Sequence, residues 1–219
     1  MRPLSLLETR VLGVLVEKSL TVPDSYPLSL NALTLGCNQK TARDPVLAAS
    51  DAEVQVAVDA LKALSLAFES SGSRVSRYEH NLGRVLGLPS QSVALLTALM
   101  LRGPQTASEL RTSSERLHRF ADVSAVEGFL DELASRAEDK GGPLVVKLPR
   151  APGAREQRWA HQLSGPVDPG SFAAAADAET IVAASELAAL KARVSVAEAE
   201  LDRLRGLVER LCGELDIPH

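Results

Sequence analysis

The feature that most constrains this chain is a pattern of three helices and a hairpin that is written into it twice. The first copy opens with "LSLLETRVLGVLVEKSL", residues 4–20, where Ser5 and Glu8 stand in capping-box spacing and Leu7, Val11, Val14 and Leu15 share one helical face. A short second helix is predicted over residues 29–35. A third begins at Ser50 with another box, Ser50 to Glu53, and buries Val54, Val58, Leu61 and Leu64 at helical spacing. In "AFESSGSRVSRYEHN" two short runs flank Ser71, Gly72 and Ser73, which predicts a hairpin. The second copy starts at "SQSVALLTALMLRG", a helix that Ser90 can cap and that Gly103 and Pro104 terminate. "QTASELRTSSERL" follows, with Thr106 and Glu109 as a further box. In "DVSAVEGFLDELASR" Val126, Leu130 and Leu133 then repeat the spacing of Val54, Val58 and Leu61. "PLVVKLPR" and "EQRWAHQL" close the copy as a hairpin turning at Pro152 and Gly153. The expected fold class is mainly α with small β-hairpins (α+β): two tandem winged-helix domains, residues 1–83 and 84–165.

The breaker-rich "SGPVDPGS" should end the second copy, leaving a linker over residues 166–178 and a C-terminal helix over 179–216. In that helix Leu187, Leu190, Val194, Ala197, Leu201, Leu204, Val208, Leu211 and Leu215 fall alternately three and four apart, a heptad a/d series. With Leu187 at position a, a parallel pair of such helices sets Arg193 against Glu198 and Glu200 against Arg205. The expectation is a coiled-coil homodimer through Leu187, Leu190, Val194, Leu201, Leu204, Val208 and Leu211.

Aromatic residues make up 3% of the 219 residues, while alanine and leucine dominate, which favours helices. Glu8 and Arg10 interrupt the N-terminal apolar stretch before a signal-peptide core can form. The longest uncharged run, residues 85–101, contains Pro89 and falls short of the roughly 20 apolar residues a spanning helix needs. A cytoplasmic protein with no membrane association is expected. Cys37 and Cys212 are far apart, so neither a disulfide framework nor metal-ligand spacing is present.

A helix-turn-helix joins its two helices by about three or four residues. Here "GCNQKTARDPV" intervenes between the second and third helices of the first copy. One role for it is structural: Asn38, Gln39 and Thr41 can bond to loop backbone while Pro45 fixes the approach to the next helix. The other is contact with a partner, since Lys40 and Arg43 stand beside Asp44. Together, "YPLSLNAL", "CNQKT", "RDPV" and the doubled pattern resemble the YceH-like family of bacterial proteins, over residues 4 to about 165. The resemblance implies a tandem winged-helix fold and brings no activity with it. Asp44 stands where the family's motif leads one to expect a glutamate.

The sequence holds no HExxH, GxSxG, Walker, GxGxxG or paired CxxC pattern, so no catalytic residue, metal or cofactor is expected. His80 and His161 fall near the ends of predicted wing strands and His118 in a charged helical segment; Cys37 is expected to be a small core residue. A winged helix usually lays its third helix in the major groove. The third helices here expose Glu53, Gln55 and Asp59, with Lys62 alone as a cation, and Glu127, Asp131 and Glu132 before Arg136. Carboxylates facing phosphates are repelled. Cations gather on the second wing as Lys147, Arg150, Arg155 and Arg158, the candidate phosphate contacts. No segment is basic as a whole: residues 1–83 hold 8 cations and 9 anions, 84–168 hold 11 and 10, and 169–219 hold 5 and 9. Trp159 is expected in the core. The leading expectation is a non-enzymatic, homodimeric interaction module with a protein partner; the alternative is a DNA-binding regulator making weak phosphate contacts through its wings.

Overall fold

A computed structural model describes residues 1–70, 75–151, 153–167 and 203. Roughly half of it is helical, with two small antiparallel sheets. In chain order the elements are α1 (Leu6–Thr21), β1 (Leu28–Ser29), α2 (Leu30–Cys37), α3 (Asp51–Ala63), β2 (Ala67–Ser70) and β3 (Arg77–His80), then α4 (Leu82–Leu86), α5 (Ser90–Arg102), α6 (Ala107–Ser113), α7 (Val123–Ala134), β4 (Val145–Lys147) and β5 (Trp159–His161). The described residues up to 167 belong to one compact unit. The linker over 168–178 and the whole heptad series lie outside the described residues, as do Ser71, Gly72, Ser73 and Pro152 of the hairpin turns.

The capping boxes start the helices where the sequence places them. Glu8 N–H donates to Ser5 Oγ at 3.2 Å while Ser5 N–H donates to Glu8 Oε2 at 2.8 Å. The same exchange occurs at Ser50 and Glu53 and at Thr106 and Glu109. Each such cap stabilises its helix by about 1 kcal/mol. Ser90, in contrast, is the first residue of α5 and makes no cap; Pro89 holds the N-cap position. α6 stops at Ser113, shorter than the "QTASELRTSSERL" pattern, and His118 therefore lies in the following loop, its ring 4.8 Å from that of Phe120.

A one-faced amphipathic α1 is too modest an expectation, since every residue from Glu8 to Val16 is buried. One side of α1 carries α2, α3 and β3, and the other is covered by α5, the equivalent helix of the second copy. Gly13 allows the crossing: a Cβ there would stand 2.9 Å from Leu101 Cδ2 and 3.5 Å from Met100 Cβ. The two copies thus share one continuous core, in which Leu12, Leu15, Leu33, Leu61, Leu95, Leu96, Leu99 and Leu110 are fully buried.

The two sheets share one kind of pairing. In the first copy, β1 pairs with β3 through Leu28 and Tyr78, and the order is β1-β3-β2. In the second, β4 pairs with β5 and Gln105 bridges Trp159, with N–H···O bonds of 3.1 and 2.7 Å in the two directions. Each bridge joins the residue before a helix-capping Ser29 or Thr106 to an aromatic residue on β3 or β5. A two-residue strand and the five-residue α4 are too short to leave a periodic signal.

Candidate functional site

The connector from Asn38 to Ser50 is bonded along its length from beneath by two residues of α1. Arg10 and Glu17 are seven apart, so they share a helix face, and that face meets the connector. Arg10 is fully buried; its Nη1 donates to Cys37 O at 3.1 Å and its Nη2 to Pro45 O at 2.6 Å, joining the end of α2 to the middle of the connector. Arg10 Nε is buried without a partner. Burial and then the neighbouring Arg43 lower the Arg10 pKa, against the opposing influence of Cys37 and Asp44.

Arg43, whose side chain has 0% exposure, is gripped from several directions. Its Nη2 lies 2.5 Å from Glu17 Oε2 and 3.0 Å from Gln39 Oε1; Nη1 donates to Glu17 Oε1 at 3.2 Å and to Ala42 O at 2.8 Å; Nε donates to Gly36 O at 3.1 Å. Ala42 is held at a φ of 58°, a left-handed conformation that glycine adopts more readily. Asn38 uses both ends of its amide on one residue, donating to Ala49 O at 2.7 Å and accepting from Ala49 N–H at 2.8 Å. The loop is therefore closed on itself by Asn38 and onto α1 by Arg43.

Other motif residues point outward. Lys40 and Thr41 are exposed and make no hydrogen bond among the described residues; Gln39 bonds a side chain rather than backbone. The Asp44 carboxylate is exposed, but its N–H donates at 2.8 Å to Leu101 O, one of the last carbonyls of α5. The Asp44–Pro45 peptide is cis. Cys37 is buried, and burial pushes its thiol up to about 12, which leaves a core residue and not a nucleophile at neutral pH. Gly36 sets the distance between α2 and α1, since a Cβ there would meet Val14 Cγ1 at 2.6 Å.

The connector's tip forms one wall of a cleft of about 580 Å³. Arg43 and Asp44 face Arg102 and Gln105 at the end of α5, Thr112 on α6, and Arg158 beside β5. Arg158 Nη1 donates to Pro104 O at 2.7 Å and Nη2 to Glu109 Oε1 at 3.2 Å. Sequence reasoning assigned Arg158 to the wing and missed Arg10, Glu17 and Arg102 altogether. The available signal was a charged pair, Arg10 and Glu17, set at helical spacing inside the apolar run of α1.

Of the four cations expected to contact phosphate, Lys147 rests its Nζ 5.2 Å from the centre of the Trp159 ring, and Arg158 belongs to the cleft. Arg150 and Arg155 are exposed. Trp159 itself is 2% exposed, in the core. On the third helices, Asp51, Ala52, Glu53, Val56, Asp59 and Ala63 of α3 are exposed, as are Glu127, Asp131 and Glu132 of α7. Lys62 is bound to Glu69 at 2.5 Å and to Asp59 at 3.5 Å. His80 and His161 end β3 and β5, each with a buried Nδ1 that has no partner among the described residues; burial lowers both pKa values, that of His161 to about 4. Among the described residues no group of three or more His, Cys, Asp or Glu is placed to hold a metal ion, and no helix is long and apolar enough to cross a membrane.

Comparison with known proteins finds a family model described as "Protein of unknown function, DUF480", which matches residues 4–154. A UPF0502 protein of Burkholderia multivorans (strain ATCC 17616 / 249) is 63% identical over 218 residues, covering 99% of this chain and 91% of the relative. One from Burkholderia pseudomallei (strain 668) is 62% identical over 217 residues, with coverage of 99% and 91%. Another, from Acidovorax sp. (strain JS42), is 58% identical over 216 residues, with coverage of 99% and 96%. The chain belongs to the DUF480 (UPF0502) family.

Proposed function

We propose that this member of the DUF480 family is a non-enzymatic cytoplasmic protein that works as a macromolecular interaction module, built from two winged-helix units and dimerised through its C-terminal heptads. The observation that carries this reading is the outward face of the two third helices. In a winged helix that reads DNA, this face meets phosphates and base edges and is supplied with arginine or lysine. Here α3 presents Asp51, Glu53 and Asp59 around the exposed Val56, and its Lys62 is held by Glu69. α7 presents Glu127, Asp131 and Glu132. Such a surface repels a polyanion and suits a protein.

The connector supports the same reading. It is fastened by buried bonds from Arg10, Arg43 and Asn38, so it is a fixed part of the surface and not a loop awaiting a ligand. A second reading, a regulator that contacts DNA through its wings, draws on the exposed Arg150 and Arg155. Two cations per subunit give weak and salt-dependent attachment. Dimerisation is tested by light scattering of the full chain and of a chain ending at Asp168. The full chain should be a dimer and the shortened one a monomer; the same subunit count in both removes the coiled coil from the proposal.

A further inference from the structure

We propose that the cleft between the connector and the second copy is a recognition site for a carboxylate side chain on an acidic segment of a protein partner, with Arg102 as its principal ligand. The inference rests on the interaction-module reading and names the chemistry of its partner. It starts from charge. Around the cleft and directly beneath it, Arg43 is matched by Glu17 and Arg158 by Glu109. The buried Arg10 has no carboxylate within ion-pair distance among the described residues, and Asp44 is the carboxylate that acts on it through space. Arg102 is left over: its guanidinium is exposed, lines the cleft, and makes neither an ion pair nor a hydrogen bond among the described residues.

Three of the carbonyls near the end of α5 already accept bonds from other groups. A cation in the last turn normally bonds the free carbonyls there. In α5, Leu99 O accepts from Gly103 N–H, Leu101 O accepts from Asp44 N–H, and Ala98 O accepts from Gln105 Nε2. The walls on either side of Arg102 are rigid for the same reasons. Asp44 is bonded to α5, Gln105 is bridged to Trp159 in both directions, and Arg158 is anchored by Pro104 O. Arg43 and Gln105, which line the cleft, are themselves 6% and 7% exposed. A guanidinium at the edge of a preformed polar cleft is matched by a planar oxyanion that accepts two parallel N–H bonds, and little ordering entropy is lost on binding.

A single carboxylate fits better than a nucleic acid. Asp44 and Glu109 stand in the same cleft, and α7, which packs on α6, exposes Glu127, Asp131 and Glu132. A strand of phosphates brings several negative charges toward these carboxylates at once. One acidic side chain brings a single negative charge to Arg102.

The test is a two-dimensional NMR titration of the ¹⁵N-labelled full chain, following arginine Nε–H signals and the amides of Gln105 and Thr112. The probes are acetyl-Gly-Glu-Gly-amide, its Gln counterpart, and inorganic phosphate. The glutamate peptide should move the Arg102 and Gln105 signals saturably in the millimolar range, the glutamine peptide should not, and R102Q should weaken binding at least about fivefold with R102K in between. The Arg102 side chain makes no hydrogen bond among the described residues, so an unchanged amide spectrum elsewhere confirms that R102Q is folded. Equal shifts from both peptides, full binding by R102Q, saturation by phosphate but not by the glutamate peptide, or no saturable shift at all each overturn the proposal. Those outcomes leave the interaction-module reading standing, because that reading fails separately, on tight sequence-selective binding to duplex DNA.

Discussion

The substitution Glu17→Gln isolates the contribution of the buried charge pair that fastens the connector. Glu17 receives Arg43 through both carboxylate oxygens, at 3.2 and 2.5 Å, while the Arg43 side chain has 0% exposure. Glutamine keeps the shape and one acceptor but removes the charge, and it turns an N–H toward the guanidinium. Two buried arginines, Arg10 and Arg43, then remain with no carboxylate in ion-pair distance among the described residues. Removing one partner of a buried pair costs about 3–5 kcal/mol. Because the Glu17 side chain is 19% exposed, water screens part of this, and a loss of about 2–3 kcal/mol is expected. For a unit of this size that corresponds to a fall in Tm of about 4–12 °C. Thermal and guanidinium melts followed by circular dichroism at pH 7 measure it, with Lys18→Ala as the control. That change removes only a 3.7 Å contact to the same carboxylate and should cost less than about 1 kcal/mol. A Glu17→Gln midpoint within about 1 °C of the unmodified chain, or no lower than that of Lys18→Ala, refutes the reasoning.

Three further outcomes follow from the same geometry. Asn38→Ala strands both backbone groups of Ala49 and should lower stability by about 1–3 kcal/mol, whereas Thr41→Ala should leave the urea midpoint unchanged. His161 is neutral in the fold, with a pKa of about 4 against about 6.5 when unfolded, so its contribution is complete above pH 6.5 and is lost as pH falls toward 4. The stability difference between the unmodified chain and His161→Gln should accordingly shrink by about 2 kcal/mol from pH 7 to pH 5, and a constant difference contradicts the assignment. Ala42→Gly should raise stability by up to about 1 kcal/mol by relieving the left-handed backbone at 58°, read as a higher urea midpoint with unchanged slope.

What the sequence made legible was whatever repeats or caps locally. Three capping boxes announce α1, α3 and α6 through two short-range bonds apiece, and the periodicity of Val54, Val58 and Leu61 and of Val126, Leu130 and Leu133 survives because each helix buries one face. The packing of α1 on α5 left no comparable trace, since it depends on Gly13 meeting Leu101 at long range. Within the connector, Asn38 and Arg43 were legible as groups able to bond a loop. Their partners, Ala49 and Glu17, were not, because residue spacing carries no information about which helix face a loop will lie on. Arg102 left no sign of the role proposed for it, because its side chain bonds to nothing among the described residues and only the surrounding walls suggest a site.

The central proposal, that the outward faces of α3 and α7 serve a macromolecule other than DNA, is tested most directly by a gel-shift titration of the full chain at low and at physiological salt. Specific and scrambled duplexes are compared, with Asp59→Gln and Asp131→Gln alongside the Arg150→Gln, Arg155→Gln double variant. The account predicts binding near background at physiological salt and no sequence preference. Residual low-salt binding should be weakened by the double arginine variant and strengthened by either aspartate change, as repulsion of phosphate is relieved. Nanomolar, sequence-selective binding at physiological salt contradicts it and makes the protein a DNA-binding regulator.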